Sequence, residues 1–379
     1  MIKRLLKRIF PTAFLKRCFL LYNRIRISTV DRLLFREVRI KKEQFTLYRT
    51  EYPFQVNHVS VQELQGTPAY SYMKEWITWS QEEYLLEFNK PCWIEPEYGW
   101  AILPPNHLVY ESIAFSRTTH QRKPDLLKFW RRQRTRPFPK VVSLRDTGEE
   151  NYFHFFNDIL SKIFFLRESK VAVDELPLII SGKLWDKPYF QYYFSRSPFL
   201  QSLHWIVQRD QYIHCDSVIF CKPLTHRRGL WEELVASVQI DVSAKGSRKI
   251  FLTRQKTRLR FIENSDEIET ACREHGYEIV DADTLSPDQQ VRLFSSVSHL
   301  VGIHGAGLTN MIFCPPGCRV LELFPPPDLG YLPYHYILLA KIRRFRYRAL
   351  IGGIPAVRFS GGFRLDPVEF TQSLMDMDS

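Results

Sequence analysis

The sequence predicts an α/β fold built on doubly wound parallel sheets, on three observations. Between residues 248 and 324, short apolar runs of strand type alternate with helix-type segments at the spacing of βαβ units. The same alternation recurs between residues 141 and 220. In the later stretch an apolar run (Leu300, Val301, Ile303) ends on His304, and Gly305 and Gly307 follow before Leu308, Thr309 and Asn310 open a short helix. A strand feeding a glycine turn and a helix start points bare N–H groups and a positive dipole end past the sheet rim, a place to hold a phosphate. Ligands of such sheets bind outside the carboxyl ends of the strands.

Taken in order, residues 1–26 carry Lys3, Arg4, Lys7, Arg8, Lys16, Arg17, Arg24 and Arg26 and no acid. Apolar residues at three- and four-residue intervals between them describe an amphipathic helix, broken by Pro11. Such a segment suits an anionic membrane surface, where each basic residue contributes about 1 kcal/mol. No apolar run reaches the length of a transmembrane helix, and no secretory signal pattern is present. The expected location is therefore cytoplasmic, as a peripheral protein on the inner face of the membrane. Seven scattered cysteines, Cys314-Pro-Pro-Gly-Cys318 among them, read as buried thiols in a reducing compartment.

Residues 38–150 mix aromatics, prolines and charges without long periodic segments, and 91–105 reads as loop. A strand over 141–144 leads through 145–150 to Asn151 and a helix from about Tyr152. On that helix His154 and Asp158 lie four residues apart and share a face. Further strands are expected at 178–181, 202–207 and 217–220, and the basic run 131–136 reads as a loop or helix end. The small-residue tract within 241–247 is the expected hinge. The predicted segments are 1–36 as the membrane-surface piece, 37–242 as a first Rossmann-like domain, and 243–379 as a second that carries the phosphate turn and the C-terminal tail.

In the later half a strand over 248–254 ends in Arg254, with Arg258 and Arg260 in the loop beyond it. A helix over 264–274 follows, with Asn264 as N-cap and Glu267 at N3, and Gly276 stops it. Strands at 277–280, 299–303 and 318–324 and a helix opened by Ser286-Pro287-Asp288-Gln289 complete the pattern. Asp281-Ala-Asp283 reads as loop, and no metal site is expected. Arginines near a helix start suit a diphosphate, and Glu322 near a strand end suits ribose hydroxyls. After a helix over 334–340, Lys341, Arg343, Arg344, Arg346 and Arg348 interleave with Phe345 and Tyr347. This reads as a strand whose cationic face is exposed, towards a membrane or an acidic acceptor. The net charge of +12 comes with no nucleic-acid-binding module, so nucleic acid is not an expected partner.

Phe251-Leu-Thr-Arg254 with Arg258, Arg260 and Asn264, the block Gly302-Ile-His304-Gly-Ala-Gly-Leu-Thr-Asn310, Val320-Leu-Glu322-Leu-Phe, and Asn151-Tyr-Phe-His154-Phe-Phe-Asn-Asp158 together resemble glycosyltransferase family 61. The resemblance covers roughly residues 140–350. It implies a GT-B fold, two Rossmann-like domains facing across a cleft. It also implies an inverting, metal-independent enzyme that uses a nucleotide sugar as substrate and no cofactor. Carried over by position, Arg254, Arg258, His304 and Glu322 lie at the donor, Gly305 and Gly307 shape the phosphate turn, and Ala306, Leu308, Thr309 and Asn310 complete the donor block. One departure is Ser265 after Asn264, where the family has an acid.

Inverting transfer needs one base for the acceptor proton. His154 and Asp158 are the candidates, with Asp158 as base and His154 positioning, or the reverse. The expected function is sugar transfer to a glycan or lipid-linked acceptor, in synthesis of cell-surface polysaccharide such as capsule or lipopolysaccharide. The alternative is a non-catalytic nucleotide-binding scaffold of a glycan assembly complex.

Overall fold

The structure, a computed structural model, describes residues 18, 21, 35–40, 48–53, 64, 67–73, 80–113, 124, 126–133, 135–169, 171–223, 232, 235–236, 246–255, 259–327, 332–356 and 360–378. The basic segment expected over 1–36 falls almost wholly outside these residues, as do Arg258 and most of the expected hinge. The chain divides into two compact units, one of Phe19–Tyr52 with Gln81–Val238, the other of Met1–Cys18 with Pro53–Ser80 and Gln239–Ser379.

The first unit holds strands β1 (Arg36–Val38), β2 (Tyr48–Pro53), β3 (Ser80–Phe88), β4 (Cys92–Ile94), β5 (Ala101–Leu103), β6 (His107–Val109), β7 (Val141–Ser143), β8 (Leu178–Ser181), β9 (Trp205–Gln208), β10 (Ile213–Cys215) and β11 (Val218–Lys222). Among the described residues they form two sheets, ordered β2-β3-β11-β7-β8-β9 and β1-β6-β5-β4-β10. Strands β11, β7, β8 and β9 run parallel. The runs Val-Val-Ser and Leu-Ile-Ile-Ser are buried throughout, as parallel strands covered on both faces require. Phe88, Ile94, Val141, Ile179, Cys215 and Phe220 share one apolar core that joins the two sheets.

The second sheet corrects the loop reading of 91–105. Strands β4 and β5 lie there, antiparallel to each other. Three-residue strands around a Pro-Glu-Tyr-Gly turn are too short to show a period. Gly99 makes that turn possible, with φ +83°; a β-carbon on it would fall 2.2 Å from the Cβ of Arg145.

The second unit carries β12 (Arg248–Leu252), β13 (Glu278–Val280), β14 (Val297–Ile303), β15 (Arg319–Phe324) and β16 (Arg346–Ile351). They pair all-parallel in the order β13-β12-β14-β15-β16. Helices at Ser265–Glu274, Pro287–Phe294, His335–Ile342 and Pro367–Asp378 accompany the strands. The chain steps from β12 to β13 on one side, then returns across β12 to β14 on the other. The direction of winding thus reverses between β12 and β14, and that crevice is the place where doubly wound sheets take ligands.

Local details follow the sequence with two corrections. Ser286 and Gln289 make the expected reciprocal cap. Asn264 does not cap its helix. Its side chain instead donates to Leu365 O (2.9 Å) and accepts from Leu365 N–H (3.2 Å), tying the helix start to the segment before Pro367. The basic–aromatic run supplies β16, with Arg346 and Arg348 exposed as expected and Tyr347 turned inward. Arg348 is paired with Asp376 at 2.8 Å. Six cysteines are buried free thiols, whereas Cys18 is exposed. Among the described residues no helix is long and apolar enough to cross a membrane.

Candidate functional site

Two constellations emerge, one in each unit. In the second unit, β12 leads to Arg254 and β14 leads to His304, so the two residues follow the adjacent strands that flank the winding reversal. After His304 the chain enters a 3₁₀ helix, Ala306–Phe313. It begins two residues earlier than the sequence suggested and is wound more tightly, with Leu308 N–H bonded to Gly305 O at 3.0 Å. Its first N–H groups have no intrahelical acceptor.

The Arg254 guanidinium lies over the α-carbon of Gly305. A β-carbon there would sit 2.9 Å from Nη2 and 3.4 Å from Cζ, so Gly305 serves by leaving space. Arg254 also donates from Nη1 to Leu259 O at 3.1 Å. Gly307 is different: the nearest atom to a β-carbon would be Leu252 Cδ1, 4.0 Å away. Its backbone is not in the left-handed region either. We therefore expect Gly305→Ala to displace Arg254 and weaken binding of a phosphate ligand about tenfold or more. Gly307→Ala should keep folding stability within about 0.5 kcal/mol of the parent. Calorimetric titration and urea unfolding of the two variants check this.

Behind the turn, His304 Nδ1 meets Glu322 Oε1 at 2.5 Å, and Tyr347 donates its hydroxyl proton to Glu322 Oε2 at 2.5 Å. The His304 ring stacks on Phe324 (5.0 Å, 20°) and meets Tyr336 edge-on (5.5 Å). Tyr336 donates to Gly305 O at 2.7 Å. Burial, with the Glu322 charge nearby, pushes the Tyr336 and Tyr347 hydroxyls well up from the usual tyrosine range, so both stay protonated donors. Arg260 sits in the left-handed region (φ 64°), and burial lowers its pKa against the pull of Tyr336 and Glu322.

These contacts redistribute the roles expected from the sequence. Glu322 has no exposed surface and both carboxylate oxygens are taken, so contact with a ribose does not fit it; it holds His304. Leu308, Thr309 and Asn310 are fully buried. Thr309 faces the Tyr336 hydroxyl (3.4 Å), and Asn310 donates to Gln290 Oε1 (2.8 Å) and Gly307 O (3.3 Å). Their side chains anchor the turn from inside. Arg254, His304, Ala306 and Gly307 are part-exposed, and they are what a ligand at the strand ends could meet.

In the first unit, β7 runs into the polar loop 145–150 and then a helix, here α1. It consists of Tyr152–His154, a π-helical turn over Phe155–Leu160, and Ser161–Glu168. Asn151 caps it by accepting Phe153 N–H at 2.9 Å. His154 Nδ1 and Asp158 Oδ2 are 2.6 Å apart, and Asn157 holds the other carboxylate oxygen at 2.9 Å. Burial alone would lower the His154 pKa, but Asp158, with Asp146 and Glu150 beyond it, raises it above the usual value. Burial likewise works to raise Asp158, and His154, Lys162 and Asn157 overcome it and hold the carboxyl below the usual range. The sequence thus placed these two together correctly.

It gave no sign of the network beneath them. Lys162 Nζ meets Asp146 Oδ2 at 2.8 Å, with 2% and 1% of the two side chains exposed. Arg145 donates to Glu149 (2.8 Å), to Gln208 and to Pro96 O (3.0 Å). Glu95 in turn accepts the N–H groups of Glu97 (2.8 Å) and Tyr98. Burial raises the Glu95 and Glu149 carboxyls, against the pull of Arg145. The loop ahead of His154 is therefore pinned from three directions.

Residues 152–321 match the family model Glycosyltransferase 61, from the start of α1 to one residue short of Glu322. The chain is also similar to two rice (Oryza sativa subsp. japonica) proteins. One is alpha-1,3-arabinosyltransferase XAT3, 38% identical over 88 residues, 22% of this chain and 15% of that protein. The other is alpha-1,3-arabinosyltransferase XAT2, 30% identical over 131 residues, 34% of this chain and 22% of that protein. The similarity thus spans less than a quarter of each relative's length. Over residues 152–321, which hold His154, Asp158, Arg254 and the Gly305 turn, the chain is thus similar to glycosyltransferase family 61.

Proposed function

We propose that the protein is an inverting glycosyltransferase that moves a sugar from a nucleotide-sugar donor to a glycan or lipid-linked acceptor. The observation that carries this is the pairing of Arg254 with the Gly305 turn at the winding reversal of an all-parallel sheet. The donor diphosphate would rest against Arg254, the N–H groups of Ala306 and Gly307, and His304. As the bond from the anomeric carbon to the diphosphate oxygen breaks, those groups meet the charge left on the diphosphate. A base takes the acceptor hydroxyl proton as its oxygen attacks from the opposite face. We take His154 as that base, with Asp158 holding its Nδ1 and the proton taken at Nε2. A carboxyl held below its usual range is the weaker acceptor, and a histidine held above its own is the stronger.

The GT-B pairing of two Rossmann-like domains and independence from metal are further parts of this proposal and rest on the family resemblance. So does a place in cell-surface polysaccharide synthesis. The names of the rice relatives make a nucleotide-linked pentose the first donor to try. Attachment to an anionic membrane by the basic N-terminal segment rests on its sequence. It requires that deletion of residues 1–30 shift the protein from the membrane to the soluble fraction, and an unchanged distribution refutes it. The activity itself is tested by incubating the protein with a panel of nucleotide sugars and following release of nucleoside diphosphate. Release by the parent and loss in Arg254→Ala supports transfer; binding without release by any donor–acceptor pair would indicate a scaffold.

A further inference from the structure

We infer that Tyr347 is a positioning residue of the donor site: acting through Glu322, it fixes which ring nitrogen of His304 carries the proton. The inference rests on the reading of that site given above, and nothing in the family resemblance or the named relatives assigns a role to Tyr347.

The argument begins with Glu322, whose side chain has no exposed surface. A buried carboxylate needs a donor on each oxygen, because no water is there to supply one. Tyr347 supplies one at Oε2 and His304 Nδ1 lies at Oε1, each at 2.5 Å. The tyrosine hydroxyl is held protonated by burial, so it can only donate here. With Oε2 accepting from Tyr347, Oε1 is the oxygen left to accept from the ring, and the His304 proton is thereby held on Nδ1. Nε2 is then the nitrogen presented away from Glu322. It offers a lone pair when the ring is neutral and a proton when it is charged. Phe324 stacked on one face and Tyr336 on an edge fix the ring plane, so nitrogen identity and direction are set together.

The source of the relay is the register of the sheet. Gly302 in β14 pairs with Glu322 in β15, and Glu322 pairs with Ala349 in β16, two residues beyond Tyr347 on the same face. Residues two apart on a strand point to one side. Tyr347 thus reaches Glu322 diagonally across one strand spacing, the distance long aromatic side chains bridge.

Removing the hydroxyl gives a distinct chemical signature. In Tyr347→Phe, Oε2 loses its donor, and the buried carboxylate takes one proton from solvent. The resulting carboxylic acid donates O–H to Nδ1, and the ring proton moves to Nε2. In Glu322→Gln, the tyrosine still donates to the amide oxygen and the amide N–H donates to Nδ1, which gives the same tautomer by another route. A role confined to packing would leave the tautomer unchanged, since phenylalanine keeps the ring.

The test is a long-range ¹⁵N–¹H spectrum of the full chain labelled in its eleven histidines, recorded where the rings are neutral, with the His304 signal assigned by its loss in His304→Gln. The parent should show the Nδ1–H pattern, and Tyr347→Phe and Glu322→Gln should both show Nε2–H. An Nδ1–H pattern retained in either folded variant, or an Nε2–H pattern in the parent, overturns the inference. No nucleotide enters this measurement. A failure of the parent to release nucleoside diphosphate from any sugar donor would therefore strike the proposed activity and leave the tautomer result standing.

Discussion

Replacing His154 by glutamine should lower the rate of sugar transfer by about 10²–10⁴-fold, the usual worth of a general base, while donor binding stays at the parent level. His154 and Asp158 belong to one unit and the Arg254 turn to the other, so transfer and donor binding are measured separately for each variant. Asp158→Asn should also reduce transfer, because it removes the partner that fixes the ring and supports its positive charge. The pH profile decides which residue takes the proton. A histidine base must be neutral, so the rate should climb as pH rises through a value above the ordinary 6.5 or so of a histidine. An aspartate base paired with a charged histidine predicts the opposite slope over that range.

The same pair has a stability signature. The raised His154 contributes stability that is fully present below its unfolded value and lost as pH rises through its folded value. The lowered Asp158 contributes stability present above its unfolded value and lost as pH falls through its folded value. The ion pair therefore supports α1 most between about pH 4 and 6.5, and a neutral, active His154 gives up part of that support.

The largest loss of stability is expected one turn further along α1. Lys162→Met leaves the Asp146 carboxylate buried without its cation, which should cost about 3–5 kcal/mol. Lys162 is held charged against burial chiefly by Asp146, and it also donates to the carbonyl oxygens of Leu144 and Arg145, each at 3.3 Å. Removing both charges in Lys162→Met with Asp146→Leu should recover much of the loss, since the pair's own net worth is far smaller than the penalty for half of it. Urea unfolding of the single and double variants measures the difference. A single variant within about 1 kcal/mol of the parent would mean that the pair is solvated.

How much of this could be read from the sequence follows from range. The Gly305 turn, the strands around it and the His154–Asp158 spacing are local patterns, and each was legible. So was the Ser286 cap, because its four residues are contiguous. The reciprocal cap expected at Asn264 failed because a partner a hundred residues away, Leu365, competes for the same amide. Glu322 was placed near the site but given the wrong task, since its burial depends on β16, whose Tyr347 looked like part of a basic surface run. Arg145, Glu95, Glu149 and Gln208 carry no motif: they meet only when three strand ends and a three-residue-strand hairpin come together. Period and spacing report what neighbours in the chain do, and buried polar networks are settled by the sheet order.

The central claim is that Arg254, the Gly305 turn and His304 grip a diphosphate. The most direct measurement is calorimetric titration of the full chain with UDP, GDP and TDP, the parent beside Arg254→Ala. The account predicts that at least one nucleoside diphosphate binds the parent and that Arg254→Ala weakens it by about tenfold or more while remaining folded. Equal affinity in the two proteins, or no binding of any of the three by the parent, would contradict it.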